Sequence, residues 1–134
     1  MTTLTLKEIE RTYKNNGQHA EQVFRFTVEG QIFKADNKPA EVAGDCLDIQ
    51  IKSAKATVCH GTNLKAYLEM DAAKRYAYVN SDFTLAYIMT KAEWLEFCTK
   101  FAKVARESTK NGGKEKLRLG TETKEVRAWF ENRI

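Results

Sequence analysis

From Cys46 to Lys52 polar and apolar residues alternate without a break, a period of two that a strand provides and a helix does not. Laid out as one strand, the run puts Cys46, Asp48, Gln50 and Lys52 on one face and Leu47, Ile49 and Ile51 on the other. Gly44 and Asp45 lead into it and Ser53 follows it. The pattern suits a half-buried strand whose polar face is solvated. It also gathers carboxylates, a neutral amide oxygen and a lysine, a set that can hold a divalent metal beside a phosphodiester. Magnesium takes oxygen ligands and keeps several waters, so one or two carboxylates and a carbonyl suffice once a substrate phosphate joins them. A lysine next to that metal can orient water or offset charge building on the phosphorus oxygens.

The chain has the size of one domain, 134 residues, long enough to bury a core of its own. No apolar run approaches the ~18 residues needed to span a bilayer. The opening residues, Met-Thr-Thr-Leu-Thr-Leu-Lys-Glu, lack the charged start and apolar stretch of a signal peptide. Cys46, Cys59 and Cys98 include no Cys-x-x-Cys pair, so a disulfide framework is not expected and a cytoplasmic location is. A formal charge of +4 permits contact with nucleic acid without demanding it, because the acids are spread along the chain.

Local signals predict an α+β domain over residues 1–134, a mixed central sheet flanked by helices. Thr5 and Glu8 have the spacing of a capping box, predicting a short helix that Asn15-Asn16-Gly17 would stop. His19 to Gly30 reads as a second helix with Val23, Phe24 and Val28 on its apolar stripe, Phe26 and Thr27 arguing for a strand as the alternative. Asp36-Asn37-Lys38-Pro39 is a turn, and 56–59 is a strand that continues or pairs with 46–52. Thr62 or Asn63 opens a helix. Residues 75–79 and 83–89 read as a hairpin around Asn80-Ser81-Asp82. Thr90 caps a helix over 91–108, Asn111-Gly112-Gly113 ends it, 116–119 is a strand, and a last helix starts from Thr121.

Asp45, Gln50 and Lys52, followed by Ser53, resemble the PD-(D/E)XK nuclease superfamily. The variant is the one in which Gln replaces the second acid (Asp…Gln-x-Lys), as in Mrr-type restriction enzymes, and a small phage or prokaryotic member is the nearest description. The resemblance implies a restriction-endonuclease-like αβββαβ core and a magnesium-dependent DNA endonuclease, with Mn2+ able to substitute for Mg2+. It also implies that Asp45, Asp48 and Gln50 are the candidate metal ligands and that Lys52 positions the water. Glu21, on the helix before the sheet, assists in the manner of the glutamate some of these nucleases bring from their first helix; taken alone it reads as a solvated helical acid. In that superfamily the first acid and the Gln-x-Lys usually lie on neighbouring strands. Four residues separate Asp45 from Gln50 here, too few for two full strands, and along one straight strand Asp45 and Lys52 would stand more than ~20 Å apart. Either Gly44 permits a bend or bulge at Asp45, or the first acid is Asp36 or Asp48.

Lys55, Lys65, Lys74 and Arg75 are the candidate DNA contacts around this site, since phosphates are met chiefly by Lys and Arg. The basic, glycine-containing loop 109–116 is a candidate for cradling a backbone and equally a plain connection. Tyr76, Tyr78 and Tyr87 suit either base stacking or cross-strand packing. Adjacent Cys59 and His60 lack zinc-ligand spacing. DNA is thus the expected partner, with no membrane, and a homodimer is a candidate assembly. A non-catalytic DNA- or protein-binding accessory or inhibitor protein on the same scaffold is the alternative.

Overall fold

The threonines that open the chain decide its first element differently from the capping-box expectation. Thr2–Thr5 form strand β1, with Thr2 paired to Ile88 and Thr5 to Leu85. Three β-branched residues in four favour that outcome, and several ladder bonds outweigh one helix cap. No helix follows before Asn15. Asn15, expected as a stop, is the N-cap of helix α1 (Asn16–Glu29), its side chain accepting the Gln18 N–H at 3.1 Å. Gly30 ends α1 in the left-handed region, φ 72°, donating its N–H to the Phe26 carbonyl. The computed structural model describes residues 1–30, 45, 46, 48–108, 110 and 112–134, with the backbone alone at 45 and 46.

Strand β2 (Asp45–Cys46) and strand β3 (Ile49–Ser53) come next, followed by β4 (Thr57–His60). Helix α2 (Leu64–Met70) is capped by Asn63, whose side chain accepts the Ala66 N–H. The hairpin read from sequence forms as β5 (Arg75–Val79) and β6 (Leu85–Thr90). Asn80 holds its turn, its side-chain oxygen accepting N–H bonds from Thr84 and Leu85. Helix α3 (Lys91–Phe101) carries a complete capping box between Thr90 and Glu93. It stops seven residues short of the predicted end because β7 (Lys103–Arg106) pairs with β8 (Glu115–Arg118). Helix α4 (Lys124–Glu131) closes the chain behind its N-cap, Thr123.

The architecture is α+β. Where one mixed sheet is expected, the described residues form two. The larger runs β1-β6-β5-β3-β2 and the smaller, antiparallel one β4-β8-β7. Within the larger sheet β3 and β5 are parallel, which requires the crossover through β4 and α2. Ile49 and Ile51 of β3 face α1 and pack with Ala20, Val23, Phe24, Ala77 and Val79. The opposite face carries Tyr76, Tyr78, Tyr87 and Met89 under α3 and α4. The tyrosines pack rather than present themselves: Tyr76 stacks on Trp94 at 5.3 Å and Tyr87 on Phe130 at 4.0 Å. In the parallel register Gln50 stands opposite Tyr76 and Lys52 opposite Tyr78, so both belong to the tyrosine face. No helix among the described residues is long and apolar enough to cross a membrane.

Candidate functional site

The run 46–52 is not one strand. Asp45 pairs with Gln50 and Cys46 with Ile49, antiparallel, so the chain reverses between Cys46 and Ile49 in a tight hairpin. Asp48 takes the positive φ such a turn demands, 61°, in the left-handed region an aspartate tolerates better than most residues. This corrects the single-strand face assignment in both directions. Cys46 moves to the face of Ile49, and Asp48 leaves the strand. Asp45, which a straight strand would carry far from Lys52, becomes the direct cross-strand neighbour of Gln50. Paired positions share a sheet face, and Lys52 lies two residues beyond Gln50 on that face. The bend or bulge invoked for Asp45 is therefore a hairpin turn.

Asp48, the substitute first acid, points elsewhere. Its carboxylate lies 3.9 Å from the Lys74 ammonium, and both side chains are mostly exposed. Its carbonyl accepts the N–H groups of Lys74 and Arg75, tying the hairpin turn to the start of β5. Asp36 and Gly44 lie outside the described residues.

Lys52 is partly buried, and its ammonium donates to the Thr57 carbonyl at 3.0 Å. Burial pulls its pKa down, opposed chiefly by the negative charge of Glu21 and then Asp71. Glu21 is the complementary case. Burial raises its pKa to about 7, with the Lys52 charge pulling it partly back. One of its carboxylate oxygens, Oε2, is buried and finds no hydrogen-bond partner among the described residues. The sequence left Glu21 as a lone acid on a helix; in the fold it is electrostatically tied to Lys52. Two groups that the sequence did not single out join this neighbourhood. Asp71, the C-cap residue of α2, accepts a hydrogen bond from the Tyr76 hydroxyl, and Tyr76 is the residue opposite Gln50. Lys91 fastens the same corner by donating to the carbonyls of Leu68 and Asp71. No local signal marks Asp71, because only the β3–α2–β5 crossover carries it to Lys52.

The candidate DNA contacts divide between the two ends of β3. Lys74 and Arg75 lie at its start, where Arg75 pairs with Ile49, and Lys55 lies past its end. Lys65 is exposed on α2. Of the loop expected over 109–116, Glu115 and Lys116 instead belong to β8, paired with Arg106 and Ala105, and residues 109 and 111 lie outside the described residues. Among the described residues no three His, Cys, Asp or Glu side chains cluster as a metal cage. A cation here would depend on Gln50 and its cross-strand neighbour Asp45, because Glu21 lies on α1, which packs against the other sheet face with Ile49 and Ile51. The pair is a hard donor set of the kind magnesium accepts when waters and phosphate complete its shell. Comparison with protein-family models, with curated proteins and with solved structures returns no match, so the site is read from its own geometry.

Proposed function

We propose that the protein is a magnesium-dependent DNA endonuclease of the PD-(D/E)XK type, in the Asp…Gln-x-Lys variant. The observation that carries this reading is the β2–β3 register, which sets Asp45 across from Gln50 on the sheet face of Lys52. Supporting it, the order of elements among the described residues, α1-β2-β3-β4-α2-β5, follows the αβββαβ sequence of that superfamily's core. One departure is that β4 pairs with β8 in the second sheet rather than with its predecessor.

In this reading Asp45 and Gln50 would hold Mg2+, or Mn2+ in its place, and Glu21, on the α1 side of the sheet, would act through its electrostatic coupling to Lys52 rather than as a ligand. When bound, the metal would polarise the scissile phosphate and favour ionisation of water. Lys52 contributes a cation already withdrawn from bulk solvent, where its field on a developing negative charge is screened least. Glu21, with a pKa raised to about 7, exchanges a proton readily near neutrality, the property wanted in a general acid or base. Asp71 and the Tyr76 hydroxyl fix the wall behind Lys52 through their shared hydrogen bond.

One observation favours the alternative of a non-catalytic binding protein: the Lys52 ammonium is engaged by the Thr57 carbonyl, a partner that would suit a purely structural lysine. Incubating the wild-type chain with Mg2+ or Mn2+ and duplex, single-stranded or branched DNA separates the two. Cleavage that stops on chelation is expected; no cleavage of any substrate with either metal would leave the binding-protein reading.

A further inference from the structure

Past the end of β3 the chain turns at Lys55, which holds φ at 66°, a region lysine seldom occupies. Two bonds keep it there. The Lys55 N–H donates to the Gly120 carbonyl at 3.0 Å, and Arg118 Nε donates to the Lys55 carbonyl at 2.9 Å. Arg118 on β8 is in turn paired with Lys103 on β7. Lys55, Lys103 and Arg118 line a groove of about 410 Å³, floored in part by Gly120 and Thr121, and no carboxylate lines it. Glu122 and Glu125 line the adjoining hollows instead. Among the described residues none of the three cations has an ion-pair partner.

Like charges placed directly opposite each other on paired strands repel. Here Lys103 faces Arg118, and a strained backbone adds Lys55 beside them. A bound polyanion relieves the repulsion, and a planar guanidinium matches phosphate geometry. We infer that this groove is a binding site for the sugar-phosphate backbone of DNA, met by Lys55, Lys103 and Arg118. The choice of DNA among polyanions rests on the phosphodiester reading above, because the groove begins three residues beyond Lys52. It extends that reading to the second sheet, whose Lys103 and Arg118 were not among the contacts expected from sequence.

The test is duplex binding by fluorescence anisotropy in EDTA, where cleavage cannot run, across a salt series. The variants are Lys103→Gln, the triple change Lys55→Gln, Lys103→Gln and Arg118→Gln, and Lys7→Gln, an exposed lysine away from the groove, as control. Each phosphate contact contributes a log–log slope of about −0.9. Lys103→Gln should therefore flatten the wild-type slope by about 0.9 and the triple variant by about 2.7, with Lys7→Gln unchanged. A slope of 2.7 amounts to roughly 40-fold in affinity between 50 and 200 mM salt. Lys103 makes no hydrogen bond that the turn needs, so its variant keeps the test valid even where the triple variant unfolds. An unchanged slope in Lys103→Gln overturns the site, as does an absence of duplex binding at low salt or a response to anionic lipid vesicles alone. A protein that binds with this slope and never cleaves sinks the nuclease reading and leaves the groove. One that cleaves with an unaltered slope does the reverse.

Discussion

Lys52→Ala is expected to abolish metal-dependent DNA cleavage, by on the order of 10²–10³ in rate, while the protein stays folded. Removing a positioned cation from a partly buried site costs about 3–4 kcal/mol of transition-state stabilisation. The stability change should be small, within about 1 kcal/mol of wild type. Loss of the bond to the Thr57 carbonyl is offset by relief of a desolvated charge whose pKa burial already depresses. Ile51→Ala is the opposite case. Ile51 is 3% exposed and packs beneath α1, so truncation should cost roughly 2–5 kcal/mol of stability. Its folded fraction should still cleave. Thermal unfolding and nicking measured on the same two variants check this, and a Lys52→Ala protein cleaving at the wild-type rate would remove Lys52 from the chemistry.

Glu21→Gln is expected to flatten the pH dependence of stability and to make the apo protein more stable at pH 8. The sign follows from linkage. The folded-state pKa of Glu21 lies near 7, above its ordinary 4.5, so between those values the folded state holds the proton and the unfolded state does not. Wild-type stability is therefore highest, for this group, below pH 4.5 and is lost as pH rises toward 7. At 1.36 kcal/mol per pH unit the loss is roughly 3 kcal/mol. Part of it survives in the variant, because Glu21 also offsets the Lys52 charge. A gain of about 1–3 kcal/mol at pH 8 is the expected range. Denaturant unfolding from pH 4 to 8 in EDTA measures it. Parallel curves for wild type and variant would show that Glu21 is not burdened by burial. In Mg2+ the same variant should lose most of its cleavage, a trade of activity for stability.

What the sequence made legible follows from where local and tertiary preferences agree. The β5–β6 hairpin and the Thr90-capped helix have strong local signals that nothing in the fold opposes. At Thr5 the capping-box spacing competed with β-branched residues lying at a sheet edge, and the edge won. Lys103–Arg106 has a composition that continues a helix well, and only its partner strand, some ten residues on, draws it into the second sheet. Leu47-Asp48 lacks the Asn-Gly of a recognisable hairpin turn, so alternation alone ran the strand straight through. The candidate site divides similarly. Asp45, Gln50 and Lys52 could be read from their order in the chain. Asp71, Tyr76 and the Lys103–Arg118 pair are joined by a crossover and a second sheet that no short window contains.

In the proposed reading, the β2–β3 hairpin makes a metal site of Asp45 and Gln50 beside Lys52. Crystals of the protein with a short DNA duplex, soaked in Mn2+ and measured for anomalous scattering, test it most directly. The expected result is one manganese peak within about 2.0–2.3 Å of an Asp45 carboxylate oxygen and the Gln50 side-chain oxygen, with a DNA phosphate in its shell. Manganese bound only at other residues, with Asp45 and Gln50 unligated while DNA occupies the protein, would contradict it.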